Sequence, residues 1–178
     1  MIVLVGASAS GKTEVAKYLK KHYDIKKVVT HTTRTPRTNE VDGVDYHFVT
    51  KTTFLKLKKD NYFVEVTEYN HNYYGTSKNE VADDKVLIVD PNGLASFLAL
   101  KDPKIVTFYL KADDDIRLER MLSRGDDRGD ALDRIACDKD DFAFDKVKMC
   151  HYFIDSNKLN ISEMAEEIIN LYRNHLNS

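Results

Sequence analysis

The chain has 178 residues and a formal net charge of −2 at pH 7, with 42% hydrophobic and 31% charged residues. This length suits one domain that buries a core of its own. Nucleic acids and anionic membranes attract proteins with a basic surplus, so the balanced charge argues against both as main partners. The sequence also gives no sign of an obligate protein partner.

The number of cysteines and the first residues of the chain both indicate the cellular compartment. Cys137 and Cys150 are too few for a disulfide framework or a zinc site, and we interpret them as free thiols. The apolar run 2–5 is far shorter than the core of a signal peptide or a membrane span. We therefore expect a cytoplasmic protein.

Short apolar runs alternate with helical patterns along the chain. The runs are β-rich and are typical of strands buried on both faces, as in a parallel sheet. The predicted strands are 2–5, 86–89, 105–110 and 152–154. Apolar residues at helical spacing predict helices over 12–22, 113–123 and 161–176. The alternation predicts an α/β fold.

Two segments interrupt this alternation. Residues 30–76 contain short alternating pieces and aromatic pairs, which predict a small, mostly antiparallel insertion. Residues 126–141 are rich in aspartate and poor in apolar residues, and we expect them to be mobile and solvated.

The segment Gly6–Thr13 fits the pattern G-x-x-x-x-G-K-[ST] in full, between a predicted strand and a predicted helix. Glycines let the backbone turn so that its N–H groups face one concavity, and the helix adds the positive end of its dipole. A Gly/Ser turn that fits by chance would not need that strand and helix. We predict that Lys12 reaches the β- and γ-phosphates of a bound nucleotide and that Thr13 ligates Mg²⁺. The predicted nucleotide-binding residues of this loop are Gly6, Ala7, Ser8, Ala9, Ser10, Gly11, Lys12 and Thr13.

Two further basic residues, Arg34 and Arg37, flank Pro36. Guanidinium groups bind phosphate in a bidentate manner, so the pair suggests a second phosphate site. On its own, such a segment is more often a solvated basic turn.

The run 30–49 resembles the nucleoside-monophosphate-binding segment of guanylate kinases, roughly S-x-T-T-R-x-P-R-x-G-E-x-x-G-x-D-Y-x-F-V. The likeness continues at 63–65 and 72–76 and, with the phosphate loop, covers essentially the whole chain. It implies a three-layer P-loop NTPase fold of the α/β class, with a parallel sheet core, a small mostly antiparallel GMP-binding insertion and a helical lid. The implied parts are a core of 1–29, 77–111 and 138–178, an insertion of 30–76 and a lid of 112–137.

The resemblance further implies an ATP:GMP phosphotransferase that also accepts dGMP and uses Mg²⁺. The residues implied to hold the GMP phosphate are Arg34, Arg37, Tyr46 and Tyr74, with Thr30 nearby. Those implied to read guanine are Glu65, Thr76 and Asp90. Carboxylates only accept hydrogen bonds and so complement N1–H and the amino group of guanine, whereas a hydroxyl can donate to O6. Without the resemblance, Glu65 is more simply an outward-facing strand residue.

Five arginines lie within residues 117–134, and by themselves they are typical of a helix face paired with aspartates. The stretch 118–125 is similar to the R-L-x-x-R-G stretch of guanylate kinases, which belongs to a lid over both nucleotides. This implies Arg120, Arg124 and Arg134 as catalytic residues beside Lys12. Arg128 and Arg117 are weaker candidates. Asp155 falls where the family usually has Asn beside the adenine, which implies an ATP contact.

The chain departs from the family pattern at Ile88, where a carboxylate that arranges Mg²⁺ and its waters is usual. The segment 77–84 is shorter than usual, so one helix should be reduced to a turn or two. Two alternatives remain open, a catalytically silent binding module and a P-loop kinase for a phosphorylated sugar. The first typically loses the loop or the lid arginines, and the second would lack the guanine-reading residues.

Overall fold

The computed structural model describes residues 1–36, 40–69 and 71–178. In chain order its elements are β1 (Ile2–Val5), α1 (Lys12–Tyr23), β2 (Lys26–Lys27), β3 (His31–Thr32), β4 (His47–Phe48), α2 (Lys51–Lys59), β5 (Phe63–Tyr69), β6 (Asn72–Ser77), a 3-10 turn (Lys78–Glu80), β7 (Lys85–Ile88), α3 (Pro91–Ala99), β8 (Val106–Lys111), α4 (Asp114–Ser123), α5 (Arg128–Asp141), α6 (Phe144–Val147), β9 (Tyr152–Asp155) and α7 (Ile161–Leu176).

The larger sheet has five parallel strands in the order β2-β7-β1-β8-β9. Its four longest strands coincide with the predicted ones to within one residue at each end. β1 lies at the centre and all four of its residues are buried, as expected of a strand covered on both faces. The same expectation is wrong for β9, because an edge strand has one open side. Only Ile154 is fully buried there.

Helices cover both faces of this sheet, so that the core has three layers, with the sheet between two layers of helices. On one face, α1 and α7 contribute Leu19 and Ile168 to a core that contains Phe108 of β8. On the other face, α3 contributes Leu94 and Phe97. The predicted helices 12–22, 113–123 and 161–176 are confirmed as α1, α4 and α7. α7 begins with a capping box, in which Asn160 and Glu163 satisfy each other's backbone N–H groups.

The smaller sheet lies within residues 31–77 and has the order β4-β3-β6-β5. Two of its three pairings are antiparallel and one is parallel, which confirms a mostly antiparallel insertion. α2 covers it through Phe54, whose ring stacks on Phe63 at 4.6 Å between centroids. A Cβ at Gly75 would lie 3.0 Å from both rings, so the glycine makes room for this packing.

The aspartate-rich segment 126–141 differs from its prediction. It forms α5, which is capped by Asp127 and packs Ala131 and Ile135 against Met121 of α4. A helix needs only a narrow apolar stripe to pack against its neighbours. The many acidic residues on the other faces of α5 made that stripe hard to recognise in the sequence. Farther along the chain, the shortened segment 77–84 holds a single 3-10 turn, as its length suggested.

Within the described ranges, no helix combines the length and the apolar content that crossing a membrane requires.

The core assignment predicts a large loss of stability for Phe108→Ala. Phe108 is fully buried, so its truncation should lower the free energy of unfolding by about 3–5 kcal/mol, as measured by urea denaturation. Phe144→Ala is the matched control, because Phe144 is 71% exposed and its loss should change stability by less than about 0.5 kcal/mol. Equal losses in the two variants would contradict this core.

Candidate functional site

The loop between β1 and α1 is built as an anion-binding turn. A Cβ on Gly6 would lie 2.7 Å from the carbonyl oxygen of Leu110 and from Ser10 Oγ, so only glycine fits there. Gly11, at φ +98°, precedes α1, and no described side chain caps this helix. The first N–H groups of α1 therefore need an acceptor from outside the helix, and the helix dipole favours a negative one.

Five successive carbonyl oxygens of this loop each accept a hydrogen bond from a side chain. Lys12 Nζ donates to Gly6 O at 2.5 Å and to Ala7 O at 2.7 Å. The other three bonds run from Arg117 Nε to Ser8 O at 2.8 Å, from Arg120 Nη1 to Ala9 O at 3.2 Å and from Ser156 Oγ to Ser10 O at 2.8 Å. These bonds fix the direction of every peptide unit from residue 6 to residue 10.

Lys12 is the titratable group at the centre of the loop. Burial lowers its pKa from 10.5 to about 8, an effect that Asp138 partly opposes and Arg117 reinforces. A partly desolvated ammonium group in the first turn of a helix is a strong attractor for phosphate.

A buried ion pair supports the loop from the side of α4 and α5. Arg117 is 3% exposed and donates through Nη2 to Asp138, which is 8% exposed. Asp138 Oδ2 also accepts the N–H of Ser8 at 2.8 Å. Arg117 was a weak catalytic candidate by sequence, and no role was expected of Asp138. The available signal was position, because Asp138 continues the buried stripe of Ala131 and Ile135 on α5.

A cavity of about 530 Å³ opens beside the loop, and we call it the donor cavity. Lys12, Thr13, Arg120 and Arg124 line it, together with the apolar side chains of Leu159 and Ile161. Two of the predicted catalytic arginines therefore meet Lys12 and Thr13 at one cavity.

The three arginines that were predicted to be catalytic have different hydrogen-bond and ion-pair partners. The guanidinium group of Arg120 donates to Ser156 Oγ at 2.8 Å and to Ser156 O at 2.6 Å. Arg124 forms two bonds with Asp126, and these lower the pKa of that carboxyl. Arg134 lies 3.5 Å from the same carboxylate.

Asp155 bonds within its own turn, where Asn157 N–H and Lys158 lower the pKa of its carboxyl. Asp155 is thus the last residue of β9, bonded to the turn that follows, and its predicted ATP contact stays a prediction.

A second cavity, of about 200 Å³, lies where the smaller sheet faces the end of β7, and we call it the acceptor cavity. Six of the eight residues predicted to bind the monophosphate line it. They are Thr30, Tyr46, Glu65, Tyr74, Thr76 and Asp90.

The predicted pair of arginines is described only in part. Arg34 donates through Nη2 to both carboxylate oxygens of Glu40, at 2.7 and 2.9 Å, and lies over the ring of Tyr46 at 5.4 Å. The bond to Glu40 raises the pKa of Arg34. Arg37 falls outside the described residues.

Glu65 lies at the centre of the acceptor cavity's hydrogen bonds. Thr76 Oγ1 donates to it at 2.8 Å and Thr67 Oγ1 at 3.4 Å. Burial raises the pKa of Glu65, and the nearby charge of Asp90 raises it further. Asp90 also accepts the N–H of Gly93 at 2.7 Å and so caps α3. The hydroxyl of Thr76 must turn away from Glu65 before it can donate to a ligand.

A third cavity, of about 420 Å³, connects the other two. It shares Thr13 with the donor cavity, and Thr30, Tyr46 and Ile88 with the acceptor cavity. Lys17, Lys20 and Lys27 also line it. The three cavities therefore adjoin one another and form a groove whose middle part is lined by lysine side chains.

This fold and this loop define a P-loop protein of the α/β class. A sequence profile of the guanylate kinase family matches residues 1–168. The guanylate kinase of Wolinella succinogenes is 37% identical over 144 residues, which cover 75% of this chain and 66% of that protein. The corresponding protein of Clostridium perfringens strain SM101 is 34% identical over 139 residues, 74% and 64% of the two chains.

The crystal structure of the guanylate kinase from Anaplasma phagocytophilum superposes with a TM-score of 0.67 over 98% of this chain and 84% of that one, at 24% sequence identity, which is a likeness of fold. This chain belongs to the guanylate kinase family. It spans just under two thirds of the length of the two sequence relatives.

The lowered pKa of Lys12 predicts how nucleotide affinity depends on pH. Phosphate favours the charged lysine, so the affinity for an adenine nucleotide should be constant below about pH 8 and fall above it, by up to about tenfold per pH unit. Calorimetric titration with Mg-ADP from pH 7 to 9.5 measures this. Lys12→Met lacks the titrating group and should bind weakly with no such decline. A flat profile for the unaltered protein would contradict the prediction.

Proposed function

We propose that this protein is a guanylate kinase that transfers the γ-phosphoryl group of ATP to GMP, and also to dGMP, and releases ADP with GDP or dGDP. The observation that carries the proposal is the groove, which joins a phosphate loop to a cavity lined by guanine-complementary side chains. Both relatives described above bear the name guanylate kinase.

The donor nucleotide is proposed to bind the loop with its phosphates and to place its adenine against Leu159 and Ile161. Arg120 would reach a phosphate with little movement, because it already lies beside the loop. Arg124 and Arg134 have half-exposed side chains tied to Asp126. Phosphate would compete with that carboxylate for both guanidinium groups.

The acceptor is a phosphate whose second pKa is near 6, so it arrives largely ionised at neutral pH. No general base is then required of the protein. Its task is to bring two polyanions together, to neutralise their charge and to exclude water. Lys12 and the arginines of the donor cavity are the groups proposed for this task, and Arg34, Arg37, Tyr46 and Tyr74 are those proposed to hold the acceptor phosphate.

Mg²⁺ is the metal proposed to accompany ATP, and its charge would help neutralise the phosphates. Thr13 fits as a protein ligand, since it lies in the first turn of α1 and lines the donor cavity. Among the described residues, no group of three or more His, Cys, Asp or Glu side chains could hold a metal. The remaining ligands would then be phosphate oxygens and water, and Ile88 has no oxygen to add in its side chain.

Guanine is proposed to bind the acceptor cavity with its N–H donors on the carboxylates of Glu65 and Asp90. The hydroxyl of Thr76 would turn from Glu65 to O6, so that it donates one hydrogen bond both before and after guanine binds. Adenine would turn the lone pair of its N1 toward a carboxylate and leave buried polar groups unpaired, which disfavours it.

The protein is proposed to act in the cytoplasm. Cys137 and Cys150 are free thiols, which suits a reducing compartment.

The activity is tested by a coupled assay of ADP release with GMP, dGMP, AMP, CMP, UMP and a phosphorylated sugar as acceptors. The proposal expects turnover with GMP and dGMP alone, and none with Lys12→Met. Equal rates with GMP and AMP would refute the assignment of guanine recognition. Nucleotide binding without any turnover would instead indicate a binding module, and turnover of the sugar phosphate alone would indicate a different kinase.

The role of Glu65 predicts a selective effect of Glu65→Gln. An amide presents one acceptor where the carboxylate presents two, and a hydrogen bond to a charged group contributes about 1.5–3 kcal/mol. The KM for GMP should therefore rise roughly 10- to 100-fold, while the KM for ATP stays the same. Steady-state kinetics with each substrate varied in turn separates the two constants.

Glu68→Gln provides the matched control, because Glu68 is exposed on the same strand. It should leave both constants unchanged. If the GMP kinetics of Glu65→Gln equal those of the unaltered protein, Glu65 does not contact the base.

A further inference from the structure

Both backbone polar groups of Ser8, which belong to the two peptide units on either side of its Cα, are held by one ion pair. The N–H of Ser8 donates to Asp138 Oδ2 at 2.8 Å, and its carbonyl oxygen accepts from Arg117 Nε at 2.8 Å. Arg117 and Asp138 bond to each other and are almost completely buried. Arg117 belongs to α4 and Asp138 to α5, so two consecutive helices that are far from the phosphate loop in sequence hold one of its residues.

Stability alone is a poor explanation for this pair. Two charges lose their hydration when they are buried, and well-packed apolar residues of similar volume are often equally stable in their place. The surroundings favour such a replacement, because Met121, Ala131 and Ile135 already form an apolar contact between α4 and α5. What apolar side chains would not supply is the pair of hydrogen bonds to Ser8.

The direction of the Ser8 carbonyl matters for phosphate binding. A carbonyl oxygen that turned into the loop's concavity would face the phosphates of a nucleotide and repel them. Arg117 holds this oxygen on the side of α4, and Asp138 holds the N–H. The neighbouring carbonyl of Ala9 is held by Arg120, which also belongs to α4.

We propose that Arg117 and Asp138 are positioning residues for the donor phosphates. They keep the two peptide units that flank Ser8 in their binding-competent orientation, and they couple the packing of α4 and α5 to the phosphate loop. The proposal rests on the proposed donor role of the loop. It concerns how the loop is shaped, and it adds no contact with GMP.

The pair also carries a charge requirement. Asp138 brings a carboxylate against an N–H of a loop that binds anions, and Arg117 neutralises it. Loss of Arg117 alone would leave an uncompensated negative charge beside the phosphates. The single variant Arg117→Leu should therefore bind nucleotide more weakly than the double variant Arg117→Leu/Asp138→Ala, in which both charges are absent.

The test compares Mg-ADP affinity by calorimetry with the melting temperature and with the KM for GMP. For Arg117→Leu/Asp138→Ala we expect about tenfold weaker Mg-ADP binding, an unchanged KM for GMP and a melting temperature within a few degrees of the original. Arg117→Lys is the second variant, because it keeps the buried charge but loses the planar guanidinium that reaches Ser8 and Asp138 together. It should fold normally and bind Mg-ADP about three- to tenfold more weakly.

Lys139→Ala is the matched control, since Lys139 pairs with Asp114 across the same two helices at the surface, at 3.3 Å. It should change none of these quantities. Unchanged Mg-ADP affinity in the double variant, or in Arg117→Lys if the double variant does not fold, would overturn the proposal. Equal losses of affinity for ADP and for GMP would also overturn the proposal. The readout with Mg-ADP needs no turnover, so it remains decisive even if the unaltered protein fails to phosphorylate GMP.

Discussion

The carbonyl oxygens of residues 6–10 are held by hydrogen bonds from Lys12, Arg117, Arg120 and Ser156, and the chemistry proposed for this chain depends on that arrangement. A peptide unit presents either its N–H or its C=O to a given side. When the carbonyl groups are held by side chains, the loop and the start of α1 can offer positive groups to a phosphate. The side chains come from α1, α4 and the turn after β9, so the loop's shape is a property of the whole α/β core.

The parallel sheet explains why these groups meet. The carboxyl ends of parallel strands lie at one edge, where the loop after β1, Asp90 after β7 and Ser156 after β9 are brought together. The smaller sheet faces the same edge and contributes Glu65 and Thr76. Loops and helices at the edge of the larger sheet line the donor cavity, whereas residues of both the smaller sheet and the end of β7 line the acceptor cavity. The cavities adjoin because the chain inserts the smaller sheet between β2 and β7 in sequence. The two proposed substrates would thus bind separate parts of the chain and meet near Thr13.

The parts of this structure that were predictable from sequence are those encoded locally. The phosphate loop, the central strands and α7 each follow from a short pattern of residues. The pairing of Arg117 with Asp138 was not predictable in this way, because it joins two helices. Its aspartate also lies in a segment whose composition suggested a mobile, solvent-exposed stretch. The bond from Thr76 to Glu65 depends on the register of β5 against β6, which shifts between Phe63 and Glu65. Asp90 was expected to read a base, and its additional role as the cap of α3 depends on the helix that follows it.

One loop, held by side chains from outside it, is proposed to bind the donor phosphates while guanine binds between Glu65 and Asp90. A crystal structure of the protein with ADP and GMP bound tests this arrangement. Phosphate oxygens are expected on the N–H groups that begin α1, and the guanine edge on the two carboxylates. The carbonyls of Ser8, Ala9 and Ser10 should still be bound by their present donors. A loop carbonyl turned toward the phosphates, or a guanine bound outside the acceptor cavity, would contradict this arrangement.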